Sequence, residues 1–389
     1  MKILMVLERN FPPDIRVEHE IKTLINNGHQ VVIASFDQRK APLEEYWNNA
    51  LICRKPISEF IYKTSVGCLK FPFYFNFWRS FIFKLFKEHD FDAIHIHDLP
   101  LAQIGLECKN RFGVKFVLDL HENWPALLEV SNHVKSFLGR ILSSDTQWKK
   151  YEEKMVWAAD EVIVVVEENK SRILNFSEQQ KKIHIISNTP TIQDIENLVS
   201  SNSTSSSSEE LILFYGGGVT EHRGLQFVLS TIAEIQTEHI KCWIVGDGSY
   251  LNSLKELCKK LNIENRVKFW GWKSLEEMMA LMEKSQVLLI PHKKSNHTDT
   301  TIPHKLFQYM ATGKPILATN CAPIERIIDA THTGFIYEFD NISMIKSQIN
   351  TIYKKWNAKE SIKTGGARFV IDKYNWGIDE KVLLDIYSD

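Results

Sequence analysis

Residues 300 to 315, TTIPHKLFQYMATGKP, gather Thr300, Thr301, His304 and Lys305 at the head of a short helical pattern, with the Gln308 amide one turn further along the face of His304. A helix start leaves backbone N–H groups unpaired and its dipole favours negative charge, so an ammonium at Lys305 beside that end makes a phosphate cradle. Pro303 fits the first helical position and Gly313 the stop. A second cluster offers the same chemistry. YGGGVTEHRGL, 215 to 225, sets Gly216, Gly217 and Gly218 after an apolar run and Arg223 near the next helical stretch. Glycines admit an anion close to the backbone, and a guanidinium can fork onto phosphate oxygens. An ordinary capped helix with a solvated lysine, and a tight turn with an exposed arginine, would use the same residues. The glycine loop is not a GxGxxG fingerprint, which argues against a nicotinamide cofactor.

A third group is DLHENW, 119 to 124, where Asp119, His121, Glu122 and Trp124 follow an apolar run. His121 is either a structural imidazole beside a helix cap or a donor to a substrate oxygen. His95 and His97 alternate to one face of their strand and read as packing or hydrogen-bonded residues, with His97 and Asp98 a secondary site candidate. The DFD at 90 to 92 mimics a metal-binding DxD but precedes a strand instead of following one, so it reads as a turn and no metal is expected to be required.

The elements that must position these groups are short apolar runs alternating with helix-period stretches: 2–7, 30–36, 93–98, 115–120, 161–166 and 182–187 in the first half. Continuous apolarity over such lengths suits strands covered on both faces, and the intervals suit crossover helices. SSNSTSSSS, 200 to 208, has no apolar side chain and reads as a loop or linker. The series then restarts at 210–218, 241–248, 266–272, 286–292 and 314–320. The expectation is two doubly wound α/β domains facing a central cleft, 1–188 and 210–371, joined by 189–209. Ligands in such sheets sit beyond the C-terminal strand ends, which selects the clusters above together with the loop from Glu8 to Arg16.

With 389 residues, two domains are the natural division. The 47 basic and 48 acidic residues leave no global field for nucleic acid or an anionic membrane, so partners must be sought in local sites. Six scattered cysteines show no metal-finger spacing and read as reduced, buried thiols. The opening run meets Glu8 and Arg9 at once, as a first buried strand and not a signal segment would. A cytoplasmic chain is therefore expected. No stretch reaches the roughly 18 uncharged apolar residues of a membrane span. FPFYFNFWRSFIFKLF, 71 to 86, is the nearest, interrupted by Arg79 and Lys84. As a helix it would be core, the wall of an acceptor pocket or, aided by lysines between Lys135 and Lys154, a peripheral membrane contact.

Taken in order, GGGVTEHRGL, IVGDGSY, VKFWGW, IPHKLFQYMATGKPILAT and APIERII resemble the nucleotide-binding half of GT-B glycosyltransferases, specifically the retaining family 4, glycosyl transferases group 1. The first half, with PPDIRV, FDAIHIHD, DLHENWP, ADEVIVV and IISNTP, is similar to members of the same family, so the resemblance covers nearly the whole chain. It implies a transferase moving a sugar from a nucleotide-diphosphate donor, guessed to be of UDP type, to a glycan or lipid-linked glycan acceptor, without a further cofactor. It places the diphosphate between Gly217, Gly218 and Arg223 on one side and Thr300, Thr301, Ile302, His304 and Lys305 on the other. Gly246 and the loop at Gly271, Trp272 and Lys273 would border the nucleoside, with Gln308 on the ribose hydroxyls. His121 would lie near donor sugar and acceptor, and Asp14, Arg16, Asp98 and Glu122 near the acceptor, while a last helix at about 372–389 would return to the first domain.

Two positions depart from the family pattern. Its two glutamates, separated by seven residues, read Thr300 and Gln308 here, and its usual glycine-loop arginine reads Gly218. Arg223 must then carry more of the phosphate charge, and the ribose contact becomes a neutral hydrogen bond. A non-catalytic binding subunit, and an epimerase or phosphorylase of the same architecture, are the alternatives to a transferase.

Overall fold

The computed structural model describes residues 1–130, 143–177, 182–201 and 209–388. The chain forms two compact units, Met1–Asn188 with Ile378–Asp389, and Thr189–Gly377.

The first unit is built on β1 (Lys2–Leu7), β2 (Gln30–Asp37), β3 (Glu44–Trp47), β4 (Ala50–Pro56), β5 (Ala93–His97), β6 (Lys115–Leu120), β7 (Glu161–Val164) and β8 (Ile183–Ile185), in the order β3-β4-β2-β1-β5-β6-β7-β8. All pairs are parallel except β3 with β4, an edge hairpin turned by Asn48 and Asn49 at positive φ. Sequence periodicity does not reveal that hairpin, because β3 is four residues of mixed polarity. The central strands are buried on both faces, as their unbroken apolar runs require. The strand order reverses between β1 and β5, so the loops after these two strands border the crevice where such sheets bind ligands.

The second unit carries β9 (Leu211–Gly216), β10 (Ile240–Val245), β11 (Val267–Gly271), β12 (Val287–Ile290), β13 (Ile316–Thr319) and β14 (Gly334–Tyr337), in the order β11-β10-β9-β12-β13-β14. Every pairing is parallel, and the reversal falls between β9 and β12. β14 is a further strand absent from the periodic reading.

The stretch 189 to 209 is not a bare linker. Helix Ile192–Ser201 occupies its first half and belongs to the second unit, while the serine tract at 202–208 lies outside the described residues. Helix Trp376–Ile386 begins at the unit boundary, and from Ile378 onward the chain is part of the first unit. There Lys115 Nζ donates to the Ile386 carbonyl at 2.5 Å, and the Tyr387 hydroxyl sits 2.9 Å from His95 Nδ1.

Helix Phe73–Glu88 turns Tyr74, Phe75, Trp78, Phe81, Ile82 and Leu85 into the first core. Each is worth about 1.5–3 kcal/mol of burial, which assigns the aromatic stripe to packing. Phe71 and Phe73, stacked 6.4 Å apart, stay exposed at its start. Lys135 lies outside the described residues, while Lys149, Lys150 and Lys154 are on helix Asp145–Ala158. Asp92 of the DFD accepts the Lys2 backbone N–H at 2.6 Å, a structural use. The six cysteines are free and buried. No helix among the described residues is long and apolar enough to cross a membrane.

Candidate functional site

In the second unit the glycine loop follows β9 because two backbones must nearly touch there. Gly246 has φ +136°, and a Cβ on it would meet the Gly217 carbonyl at 1.9 Å. Gly217 is likewise at φ +136°, and a Cβ there would fall 2.8 Å from Lys305 Nζ. The loop thus leaves room for the ammonium. Gly218 faces open space, and its carbonyl accepts the Tyr215 hydroxyl at 2.7 Å.

Lys305 opens helix Lys305–Ala311, which starts two residues later than Pro303 had suggested. Hydroxyl groups hold the preceding loop out of the helix: Thr300 donates to the Asn296 carbonyl at 2.8 Å, and Thr301 to that of His297 at 3.1 Å. These two hydroxyls and buried Ile302 therefore shape the loop. Gly313, at φ +67°, follows the helix as expected. A helix of seven residues contributes little dipole, so the charge of the site rests on side chains.

Lys305 Nζ donates to the Gly216 carbonyl at 2.6 Å and lies 4.3 Å from the centre of the Tyr215 ring. Desolvation by this surrounding, and then the Arg223 guanidinium, lowers its pKa to about 7. Arg223 Nη1 stands 2.9 Å from His292 Nε2. Burial, followed by Arg223 and Lys305, holds His292 well below the usual imidazole range, so the ring is neutral. Both cations act on one imidazole at the tip of β12, and neither makes an ion pair among the described residues. The sequence names Arg223 and Lys305; it shows His292 only as a strand end.

Beside Lys305 opens a cavity of about 120 Å³ lined by Gly216, Leu275, Met278, Met279, Met282, Gln308, Tyr309 and, from helix Ile192–Ser201, Asp194, Asn197 and Leu198. Asp194 already accepts the Thr191 hydroxyl at 2.6 Å and its N–H at 3.1 Å. The methionine wall is adaptable and apolar, and sequence reading missed it because three methionines in a helix look like core. Gly271, at φ +68°, leads to Trp272, which is 76% exposed, while Lys273 pairs with Glu277 at 3.0 Å. His304, at the helix cap, is half-buried and engaged in contacts of its own.

In the first unit the sequence candidates fall into a paired group, Asp14 with Arg16, and a buried histidine and carboxylate group whose polar atoms stay largely unpaired. His121 Nε2 lies 2.5 Å from Asp119 Oδ2, and its Nδ1 is 3.5 Å from Asn188 Nδ2. The rings of His95, His97 and His121 stack in series, with centroids 4.4 and 5.8 Å apart. Arg16 donates to both oxygens of Asp14, at 3.2 and 3.3 Å, and Arg9 adds a bond at 2.7 Å. Burial works against the Asp14 carboxylate, yet the two guanidinium groups bring its pKa down to about 2. Asp14 and Arg16, read from sequence as acceptor contacts, are thus consumed by their own pair. Asp98 stands at φ +67°, a costly conformation for a side-chain-bearing residue, and burial raises its pKa. Glu122 is half-buried, with contacts of its own.

Glu20 is an addition that the sequence reading did not make, and Glu8 enters the reading of the site only as the first residue of a candidate loop. Burial raises Glu8 to about 7, against the hydrogen bond from Tyr74 at 2.6 Å. Glu20 is buried on helix Ile15–Asn26 beside Val17, Ile21 and Leu24. That spacing, with an acid on the core face, was the available signal.

Two family models match the chain: Glycosyltransferase Family 4 over residues 15–189, and Glycosyl transferases group 1 over 199–369. A relative described as an uncharacterized glycosyltransferase of Methanocaldococcus jannaschii is 22% identical, covering 100% of this chain and 98% of its own. Among solved structures, the sucrose-phosphate synthase of Thermosynechococcus elongatus aligns with a TM-score of 0.76 at 14% identity, over 100% of this chain and 98% of that one. The Anabaena protein HepE, solved in complex with UDP, aligns at 0.72 with 13% identity over the whole of both chains.

Proposed function

Because the chain belongs to the group 1, family 4 glycosyltransferases and has their GT-B fold, it is a glycosyltransferase, and we propose that it moves a sugar from a nucleoside-diphosphate donor held in the second unit to a glycan or lipid-linked glycan acceptor, with retention. One observation carries the donor assignment: Arg223 and Lys305, whose free pKa is about 7, bring two cationic side chains to the β9/β12 switch point without a carboxylate partner among the described residues. Uncompensated cations beside a glycine loop call for a polyanion. The diphosphate then departs into a preorganised positive site, where the charge that develops is stabilised most in the transition state. In this reading the two side chains, and no divalent ion, meet that charge. Gln308 would donate to or accept from the ribose hydroxyls, and the methionine-walled cavity beside it would take an apolar part of the donor. The complex of HepE with UDP makes uridine diphosphate the first donor core to try. On the first unit, His121 would meet a sugar hydroxyl. Peripheral membrane contact would fall to the exposed Phe71 and Phe73.

The test is a thermal-shift series of nucleoside diphosphates and their sugars, since a ligand of the folded state alone raises the midpoint. At least one diphosphate should raise it in the wild type and fail to in Arg223→Ala; indifference to every one would refute the donor site. The anomeric configuration of the product, read by NMR, tests retention. Flotation with liposomes, compared between wild type and a Phe71→Ser/Phe73→Ser variant, tests the membrane contact.

A further inference from the structure

The histidine and carboxylate cluster beneath Asp98 and His121 has more ligands than acceptor chemistry needs. His95 and His97 are two apart on β5 and so share a face. Asp119 stands opposite His97 in the β5–β6 register, and Glu20 comes down from helix Ile15–Asn26. All four are at most 4% exposed. We propose that Glu20, His95, His97 and Asp119 bind a divalent transition-metal ion of the zinc class as a structural centre.

One ligand atom from each residue lies within 4.8 Å of those of the other three. Asp119 Oδ2 is 3.2 Å from His97 Nδ1 and 3.6 Å from His95 Nε2; Glu20 Oε2 is 3.8 Å from His95 Nε2 and 3.9 Å from His97 Nε2. Bonds of about 2.0–2.2 Å in a tetrahedron put ligand atoms about 3.3–3.6 Å apart, so the cluster needs to draw in by at most about 1.5 Å at its widest. His97 turns one nitrogen toward each carboxylate and can offer either.

Two further observations point to an ion. Glu20 Oε2, His95 Nε2, both His97 nitrogens and both Asp119 oxygens are buried without an aligned hydrogen bond, where nearly all such atoms have a partner. A divalent ion gives each of these residues one and balances two carboxylate charges. The Tyr387 hydroxyl, 2.9 Å from His95 Nδ1, then accepts that N–H and leaves the Nε2 lone pair facing the cluster. An oxygen partner of this kind commonly orients a ligating histidine. The ion would tie β5, β6, the first helix and the chain's return at Tyr387 into one body.

The full-length chain, produced in zinc-supplemented medium and purified without a metal-affinity resin, should retain one zinc per molecule by inductively coupled plasma mass spectrometry. The chelator-treated chain should take up cobalt(II), with ligand-field absorption of a four-coordinate nitrogen and oxygen site. Tyr387→Phe, which keeps the ring, should weaken zinc binding about 10–100-fold, and Glu20→Gln more. A folded chain that takes up neither metal overturns the proposal and leaves a proton shared among the side chains as the account of the cluster. Thiolate-to-cobalt charge transfer, or wild-type zinc affinity in Glu20→Gln, overturns it equally.

Discussion

At the strand tips of the second unit, Lys305 and Arg223 face a neutral imidazole, the Tyr215 ring and the Gly216 carbonyl, with no ion pair among the described residues. At the tip of β1 in the first, Arg16 and Arg9 are bound to Asp14. The two sheets share one winding scheme, and each presents its polar residues where strand order reverses. What differs is whether the charge is settled internally. A settled cluster contributes to the fold, while an unsettled one holds interaction energy in reserve for a ligand. The comparison teaches that, in two similar units, the substrate anion belongs where the protein has left its own cations unanswered.

The strongest way to break this contrast is to remove the unanswered charge. Lys305→Met should lower kcat for sugar transfer by about 10²–10³-fold, as loss of a preorganised group at a developing charge does. Its unfolding midpoint should hold or rise, because the lysine is desolvated with no counter-ion among the described residues. A variant that loses stability along with turnover would show Lys305 to be structural. Steady-state kinetics and chemical denaturation on the same preparation decide.

The settled side should respond in the opposite sense. Arg16→Met leaves a buried carboxylate with only half-exposed Arg9, and should cost about 3 kcal/mol of unfolding free energy, measured in urea. Because Asp14 titrates near 2 when folded, its share of stability is present above the ordinary carboxylate range and is lost as pH falls toward 2. The wild type should show that acid-side loss and Asp14→Asn should not.

How far this was legible in sequence follows the same division. Strands covered on both faces announce themselves as apolar runs, and the rule of strand ends then leads to Arg223, Lys305 and His121. The edge strands stay hidden because β3 is four residues of mixed polarity and β14, though apolar, is only four residues opened by a glycine. Pro303 points to a helix start that the hydroxyls of Thr300 and Thr301 defer to Lys305. Charge pairing is not legible at all. Asp14 and Arg16 look like site residues two positions apart, and only the fold shows that they have spent themselves on each other. His292 and Glu20 become meaningful through neighbours distant in sequence.

The contrast sharpens in a pH series. Free Lys305 titrates at about 7 against an ordinary 10.5, so the ligand-free chain gains stability as pH rises from about 7 toward that value. A bound diphosphate restores the proton, and the apparent affinity should fall by up to about tenfold per pH unit above 7. Calorimetry in buffers of different ionisation enthalpy should register uptake of up to one proton at pH 8, absent in Lys305→Met. Equal affinity at pH 7 and pH 9 would mean that the ammonium does not touch the phosphates.

The smallest effect expected concerns Gln308, which lines the cavity beside Lys305. A neutral amide can bond a diol, but a carboxylate does so about twice as strongly. The same carboxylate would also supply Lys305 with the partner it lacks. Gln308→Glu should therefore lower KM for the nucleotide sugar a few-fold and raise the ammonium's pKa, moving the pH at which affinity falls upward. The second readout separates the two contributions. A lower KM without a shifted pH profile would assign Gln308 to the ribose alone, whereas a shifted profile without a change in KM would place it on the cation side of the site.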